Sequence, residues 1–297
     1  MQANTLCAWG CWLTAGCLCL VLVTAHADDS RWERLTTDGL LKQRPAFAPD
    51  GSVVVFSRHV GDKIQLIELN LQTREERRVT DRKDPEYDAV FSPDGKSLLF
   101  AFDQTSPNQG NIEVYLLQLA DGALTKIAGD VSGLSHEESP CWSPDGERLA
   151  FTSTRDGNQE LYVAKRDGSE VHRLTSDPAI DAHPTWSPDG EWIAFSTNRW
   201  GDLEIALIRP NGEQLTRLTE SPGMDDYPCW SPDGHWLAFT SNRDGQLEIY
   251  RMRPDGSEQT NLTRSPAAEN FPAFTPAGRL GFVSDQDGGF DLYLLSE

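Results

Sequence analysis

A four-residue motif returns six times along the chain and limits what it can fold into. It reads Ala48-Pro-Asp-Gly51, Ser92-Pro-Asp-Gly95, Ser143-Pro-Asp-Gly146, Ser187-Pro-Asp-Gly190, Ser231-Pro-Asp-Gly234 and Thr275-Pro-Ala-Gly278, at spacings of 44, 51, 44, 44 and 44 residues. Proline presets φ and glycine accepts a positive φ, so each copy encodes a tight turn. An aromatic precedes every turn: Phe47, Phe91, Trp142, Trp186, Trp230 and Phe274. An apolar strand follows, such as Trp236-Leu-Ala-Phe239. Two further turns, as in Arg243-Asp-Gly245 and Asp255-Gly256, set off a third and a fourth strand, Glu248-Ile-Tyr250 and Asn261-Leu-Thr263. Four short strands joined by hairpins make one twisted sheet. Such a sheet is apolar on both faces and cannot bury itself, whereas six arranged radially bury one another. The repeat therefore predicts an all-β, six-bladed β-propeller over residues 28–297.

The last copy ends on its third strand, Phe290-Asp-Leu-Tyr-Leu-Leu295. Its fourth-strand pattern appears at the other end of the chain, where Trp32-Glu-Arg-Leu-Thr-Thr37 matches Val171-His-Arg-Leu-Thr-Ser176. The N-terminal strand is thus expected to pair with the last blade and close the ring, leaving no free edge. Residues 1–27 carry no Lys, Arg, Asp or Glu. An apolar run followed by Ala25-His26-Ala27 reads as a signal peptide cut after Ala27 and directs the chain to the periplasm or outside the cell. A retained anchor over residues 7–25 and a lipoprotein cut before Cys17 are the alternatives. Four of the six cysteines lie in this leader. Cys141 and Cys229 remain, at equivalent positions two blades apart and too distant to bridge, so two free thiols are expected.

The repeats resemble the propeller of the TolB family. The match spans residues 32–297 and rests on Trp-Ser-Pro-Asp-Gly and on Arg-Asp-Gly-x-x-Glu-[Ile/Leu]-Tyr, followed by Asp-Gly and Arg-Leu-Thr. The resemblance implies a periplasmic component of a cell-envelope complex, whose propeller binds a peptidoglycan-associated lipoprotein through loops around one channel mouth. A full TolB also carries an α/β domain ahead of the propeller. Only residues 28–43 precede the first repeat here, so that domain's partner is not carried over.

Positions shared by all copies answer to folding, whereas positions that differ are free for function. Strand alternation puts the Arg-Asp-Gly turns and the inter-blade loops on one face, the top. Blade two's extra residues, 104–111 and 129–138, fall there too. The residue three before the core aromatic is Arg44, Asp88, Ser139, His183, Tyr227 or Phe271. Two positions earlier stand Lys42, Glu86, Glu137, Asp181, Asp225 and Glu269. An acidic mouth studded with aromatics is expected to accept a basic peptide, a protein loop or a cation. The candidate partner-binding residues are Glu86, Tyr87, Asp88, Glu137, Asp181, His183, Asp225, Asp226, Tyr227, Glu269 and Phe271. Trp200 joins them, replacing the Asp of equivalent turns either as a contact anchor or as a cover over the neighbouring blade. The recurrent third-strand carboxylates Glu113, Glu160, Glu204, Glu248 and Asp291 are expected to pair with backbone amides or the turn arginines 155, 199 and 243.

Net charge is −20, from 26 Lys+Arg against 46 Asp+Glu, which disfavours nucleic acid. No nucleophile elbow is present: Gly133-Leu-Ser135-His136-Glu137 fails at its last position. The histidines are scattered, so no catalytic residue, metal or cofactor is assigned, with Ca²⁺ the one ion the carboxylates suit. The expected function is non-catalytic binding of a protein or peptide, such as an envelope lipoprotein, with no nucleic-acid partner and no integral membrane segment once the leader is cleaved. The rival is a metal-dependent lyase or hydrolase acting on saccharides through channel carboxylates.

Overall fold

The computed structural model describes residues 32–103, 112–127 and 135–296. Six four-stranded antiparallel sheets form the blades of a propeller. The innermost strands are Lys42–Phe47, Glu86–Phe91, Glu137–Trp142, Asp181–Trp186, Asp225–Trp230 and Glu269–Phe274. The expected leader and most of blade two's extra residues lie outside the described residues. The aromatic before each turn packs between blades. Trp186 sits in one cluster with Ala150, Leu161 and Val163 of the preceding blade, and Trp230 does the same with Ile205 and Leu207. The turns themselves stack around the ring: Gly95 lies against Pro49, Gly146 against Pro93, Gly190 against Pro144 and Gly234 against Pro188. These glycines hold φ between +69° and +72°, so a side chain would be strained there.

Ring closure is as the sequence predicts. Trp32–Arg34 is the outer strand of blade six, with Trp32 opposite Leu295 and Arg34 opposite Tyr293. Its Arg-Leu-Thr motif acts as a clamp. Arg34 Nη2 donates to Asp291 Oδ2 at 2.6 Å and Thr36 Oγ1 to Asp291 Oδ1 at 2.7 Å. The same clamp holds Glu160 through Arg173 (2.7 Å) and Thr175 (2.5 Å), and Glu204 through Arg217 (2.8 Å) and Thr219 (2.6 Å). Each of these threonines also accepts a third-strand N–H, as Thr175 does from Leu161. The third-strand carboxylates thus bind the fourth strand rather than the turn arginines. The latter reach inward: Arg199 Nη2 to Asp181 at 2.5 Å, Arg243 Nη2 to Asp225 at 2.7 Å and Arg155 Nη2 to Glu137 at 3.4 Å. Charge is the reason. The seams between blades three and four and between blades four and five each bury one carboxylate from either side, and two arginines neutralise one each.

Candidate functional site

Every innermost strand carries a bulge at one position. The register against the second strand shifts between Gln43 and Ala46, and at the equivalent point in all six blades. The residue inside each bulge is left-handed: Arg44, Asp88, Ser139, His183, Tyr227 and Phe271 have φ between +50° and +57°. Proline follows in five of the six and donates no ladder hydrogen bond. A left-handed residue other than glycine costs roughly 1–2 kcal/mol. Six such residues in one ring store strain at the channel, where strained backbone tends to serve a site.

Five of the six bulge residues, all but Ser139, are among those lining a channel cavity of about 330 Å³. One arc is polar. Asp88 Oδ2 accepts from Ser139 N at 3.1 Å and Ser139 Oγ at 3.0 Å, and Asp88 Oδ1 lies 3.5 Å from Arg44 Nε. The other arc is aromatic. His183 stacks on Tyr227 with centroids 4.1 Å apart, and Tyr227 meets Phe271 edge-on at 4.6 Å. His183 Nδ1 lies 2.6 Å from Asp226 Oδ1, and the Arg44 guanidinium stands 5.2 Å from the Tyr227 ring centroid. Burial works to raise the Asp226 carboxyl, but the charge and hydrogen bond of His183 hold it below the usual range. Burial, reinforced by the Asp88 charge, raises Glu138 against the pull of His136, His183 and Arg44. Burial pushes the Tyr227 phenol up to about 12, with Asp226 adding to it. Cys141 and Cys229, both free, line the same wall, with burial pushing their thiols up to about 12 and about 11.

The structure corrects part of the sequence reading. Glu86, Glu137, Asp181, Asp225 and Glu269 do not present an acidic rim, because all five are buried. They face the blade seams, where seryl and threonyl hydroxyls or the turn arginines engage at least one oxygen of each. Asp88, Asp226, His183, Tyr227 and Phe271 are brought together. Tyr87 is half-buried on its strand and is not among the residues lining the cavity. Trp200 lies over the outer strand of its own blade, its ring 5.2 Å from the Arg217 guanidinium. In blades three and five the equivalent Asp accepts a hydrogen bond from a third-strand tyrosine, as Asp244 does from Tyr250. Blade four has Ala206 at the tyrosine position, so no third-strand hydroxyl meets residue 200 there. Trp200 remains 39% exposed.

Arg44 and Glu138 are site residues that the sequence reading did not choose. The signal for the bulges was present in the prolines at 45, 140, 184, 228 and 272, which sit inside strands where proline marks a bulge. No group of three or more His, Cys, Asp or Glu among the described residues is placed to hold a metal. No helix among them is long and apolar enough to cross a membrane.

A family model described as TolB beta propeller domain matches residues 105–221 and 195–296. A Tol-Pal system protein TolB of Anaeromyxobacter dehalogenans is 34% identical over 92 residues, covering 31% of this chain and 19% of that protein. The chain therefore spans only a small part of that relative. The crystal structure of TolB from Acinetobacter baumannii superposes with a TM-score of 0.70 at 24% identity, covering 80% of this chain and 58% of that one. An oligogalacturonate lyase from Vibrio parahaemolyticus gives a TM-score of 0.61 at 15% identity, over 90% and 94%. At these identities both structures share the fold alone.

Proposed function

This chain belongs to the TolB beta propeller domain family, and from that premise we propose that it is a non-catalytic binding module of the cell envelope, periplasmic or secreted, whose channel mouth takes a cationic segment of a protein partner. The observation that carries this reading is the ring of left-handed residues, which turns Asp88 and an aromatic arc toward one cavity, with Glu138 and Asp226 next to ring positions. A lysine or arginine side chain is the complement of both: carboxylates attract it, and aromatic faces accept a guanidinium or ammonium group. Asp88, Glu138 and Asp226 supply the charge, and His183, Tyr227 and Phe271 the apolar surface. The resemblance to TolB supports an envelope protein as the partner, and an envelope lipoprotein is the specific candidate.

The test is capture from an envelope extract with immobilised wild type and with an Asp88→Asn, Glu138→Gln, Asp226→Asn triple variant. Asn and Gln keep an acceptor oxygen, so the ring's internal hydrogen bonds survive while the charge is lost. The wild type is expected to retain a protein that elutes with salt and that the variant fails to retain. Equal recovery by both would refute the channel as the binding site.

A further inference from the structure

Blade six differs from the other blades at its bottom edge. In blades four and five a hairpin joins the third and fourth strands, and its glycine lies on the fourth strand of the preceding blade. A Cβ on Gly212 would lie 3.4 Å from the Leu174 carbonyl oxygen, and one on Gly256 2.7 Å from that of Leu218. In blade six these two strands come from opposite ends of the described chain and no hairpin joins them. Leu262, the equivalent of Leu174 and Leu218, has no such turn over it among the described residues. A groove of about 500 Å³ lies there instead, walled by Trp236, Leu262, Phe274, Leu280 and Leu295.

One cation is placed in this groove against the repeat. Arg251 lines it where the equivalent residues are Leu116, Val163 and Leu207. Val163 and Leu207 pack against the tryptophan of the next blade. The Arg251 guanidinium stacks on Trp236 with its carbon 4.3 Å from the ring centroid. Its buried Nε has no hydrogen-bond partner. A buried donor of a charged group left without a partner is destabilising, and more so than a neutral one. Asp233, the acid at the rim, is engaged by the Ser231 hydroxyl and the His235 N–H. Arg279 is held by Glu33 at 2.9 Å.

We propose that this seam groove, which shares Pro232, Phe274 and Pro276 with the wall of the channel cavity, is a second binding site for a carboxylate carrying an apolar body. The volume suits a small ligand, and apolar walls with one convergent polar group are what such sites present. The guanidinium fork matches a carboxylate. The site does not depend on the channel reading.

Indole-3-propionate, titrated calorimetrically into the purified full chain, is the probe. Arg251→Leu is the variant, since leucine already stands at this position in blades two and four and the fold should tolerate it. Saturable binding to wild type is expected, weakened at least tenfold in the variant, while the uncharged indole-3-propanol binds the two alike. A parallel arm compares Gly-Trp-Leu bearing a free C-terminus with its amide, which separates a peptide terminus from a free acid as the source of the carboxylate. Equal affinity of both proteins for indole-3-propionate overturns the proposal, as does no saturable binding by wild type. It is also overturned if binding emerges only after residues 28–31 are removed, because the groove is then filled by the chain's own flank.

Discussion

Deleting residues 28–38 will leave a protein that melts far below the intact chain, or that associates through blade six. The deletion removes an outer strand, but the larger loss is electrostatic. Asp291 is fully buried and accepts from Arg34, Thr36 and the equally buried Lys42, whose Nζ lies 3.0 Å away. Burial alone would raise the Asp291 carboxyl, yet these partners hold it below the usual range, so it is ionised in the fold. The deletion strips Asp291 of Arg34 and Thr36 and leaves it Lys42 alone, and the loss of a whole buried pair, about 3–5 kcal/mol, is the upper bound on the cost. Leu35 leaves the cluster it shares with Leu292 and Leu294, adding about 1.5–3 kcal/mol. Against a total stability of roughly 5–15 kcal/mol that is a large fraction. The freed edge of Asp291–Leu295 is a template for pairing with another chain. Calorimetry and size-exclusion chromatography read the two outcomes. A truncated protein that stays monomeric and melts with the intact chain would show that the ends do not close the ring.

A second large effect concerns pH. At the seam between blades five and six both neutralising arginines are missing: Asn261 stands where Arg173 and Arg217 stand, and Gln286 where Arg155, Arg199 and Arg243 stand. Glu248 is satisfied by Ser265 N at 3.0 Å, by Gln246 Nε2 at 3.0 Å and by Thr263. Glu269 accepts from Ser284 Oγ at 2.9 Å and meets Ser265 and the Glu248 carboxylate, with no arginine beside it. Burial, with Glu248 beside it, pushes the Glu269 carboxyl up to about 8. The fold therefore holds a proton that the unfolded chain releases near its ordinary value of 4.5. Stability from this group is fully present below about pH 4.5. It falls as pH rises from there and is lost above about pH 8. The melting temperature of Glu269→Gln is expected to rise relative to wild type across that window. Gln286→Arg, which restores the arginine of the neighbouring blades, should do the same at the alkaline end. If the difference between Glu269→Gln and wild type is flat from pH 4.5 to 8, the Glu269 carboxyl is not raised in the fold.

These two cases show which features a repeat discloses. The closing strand was legible because Arg34-Leu-Thr36 copies a clamp whose partner carboxylate recurs in nearly every blade. The unpaired seam was equally visible, since Asn261 and Gln286 break a pattern that Arg34, Arg155, Arg173, Arg199, Arg217 and Arg243 keep. The buried acids were misplaced for a physical reason. Side-chain alternation within a strand fixes two faces, but a bulge exchanges them, and a bulge depends on backbone strain that residue type alone does not set. Position 42 and its equivalents therefore point into the seams, while position 44 and its equivalents line the channel.

The central claim is that a cationic segment seats between the acidic and aromatic arcs of the channel. Fluorescence anisotropy with a labelled Lys-Trp-Arg-Lys peptide tests it most directly, at two salt concentrations, against wild type, Tyr227→Ala and the Asp88→Asn, Glu138→Gln, Asp226→Asn variant. The account predicts binding to wild type that weakens with salt, falls about tenfold or more in Tyr227→Ala, and is lost in the charge variant. Undiminished binding by both variants would contradict it.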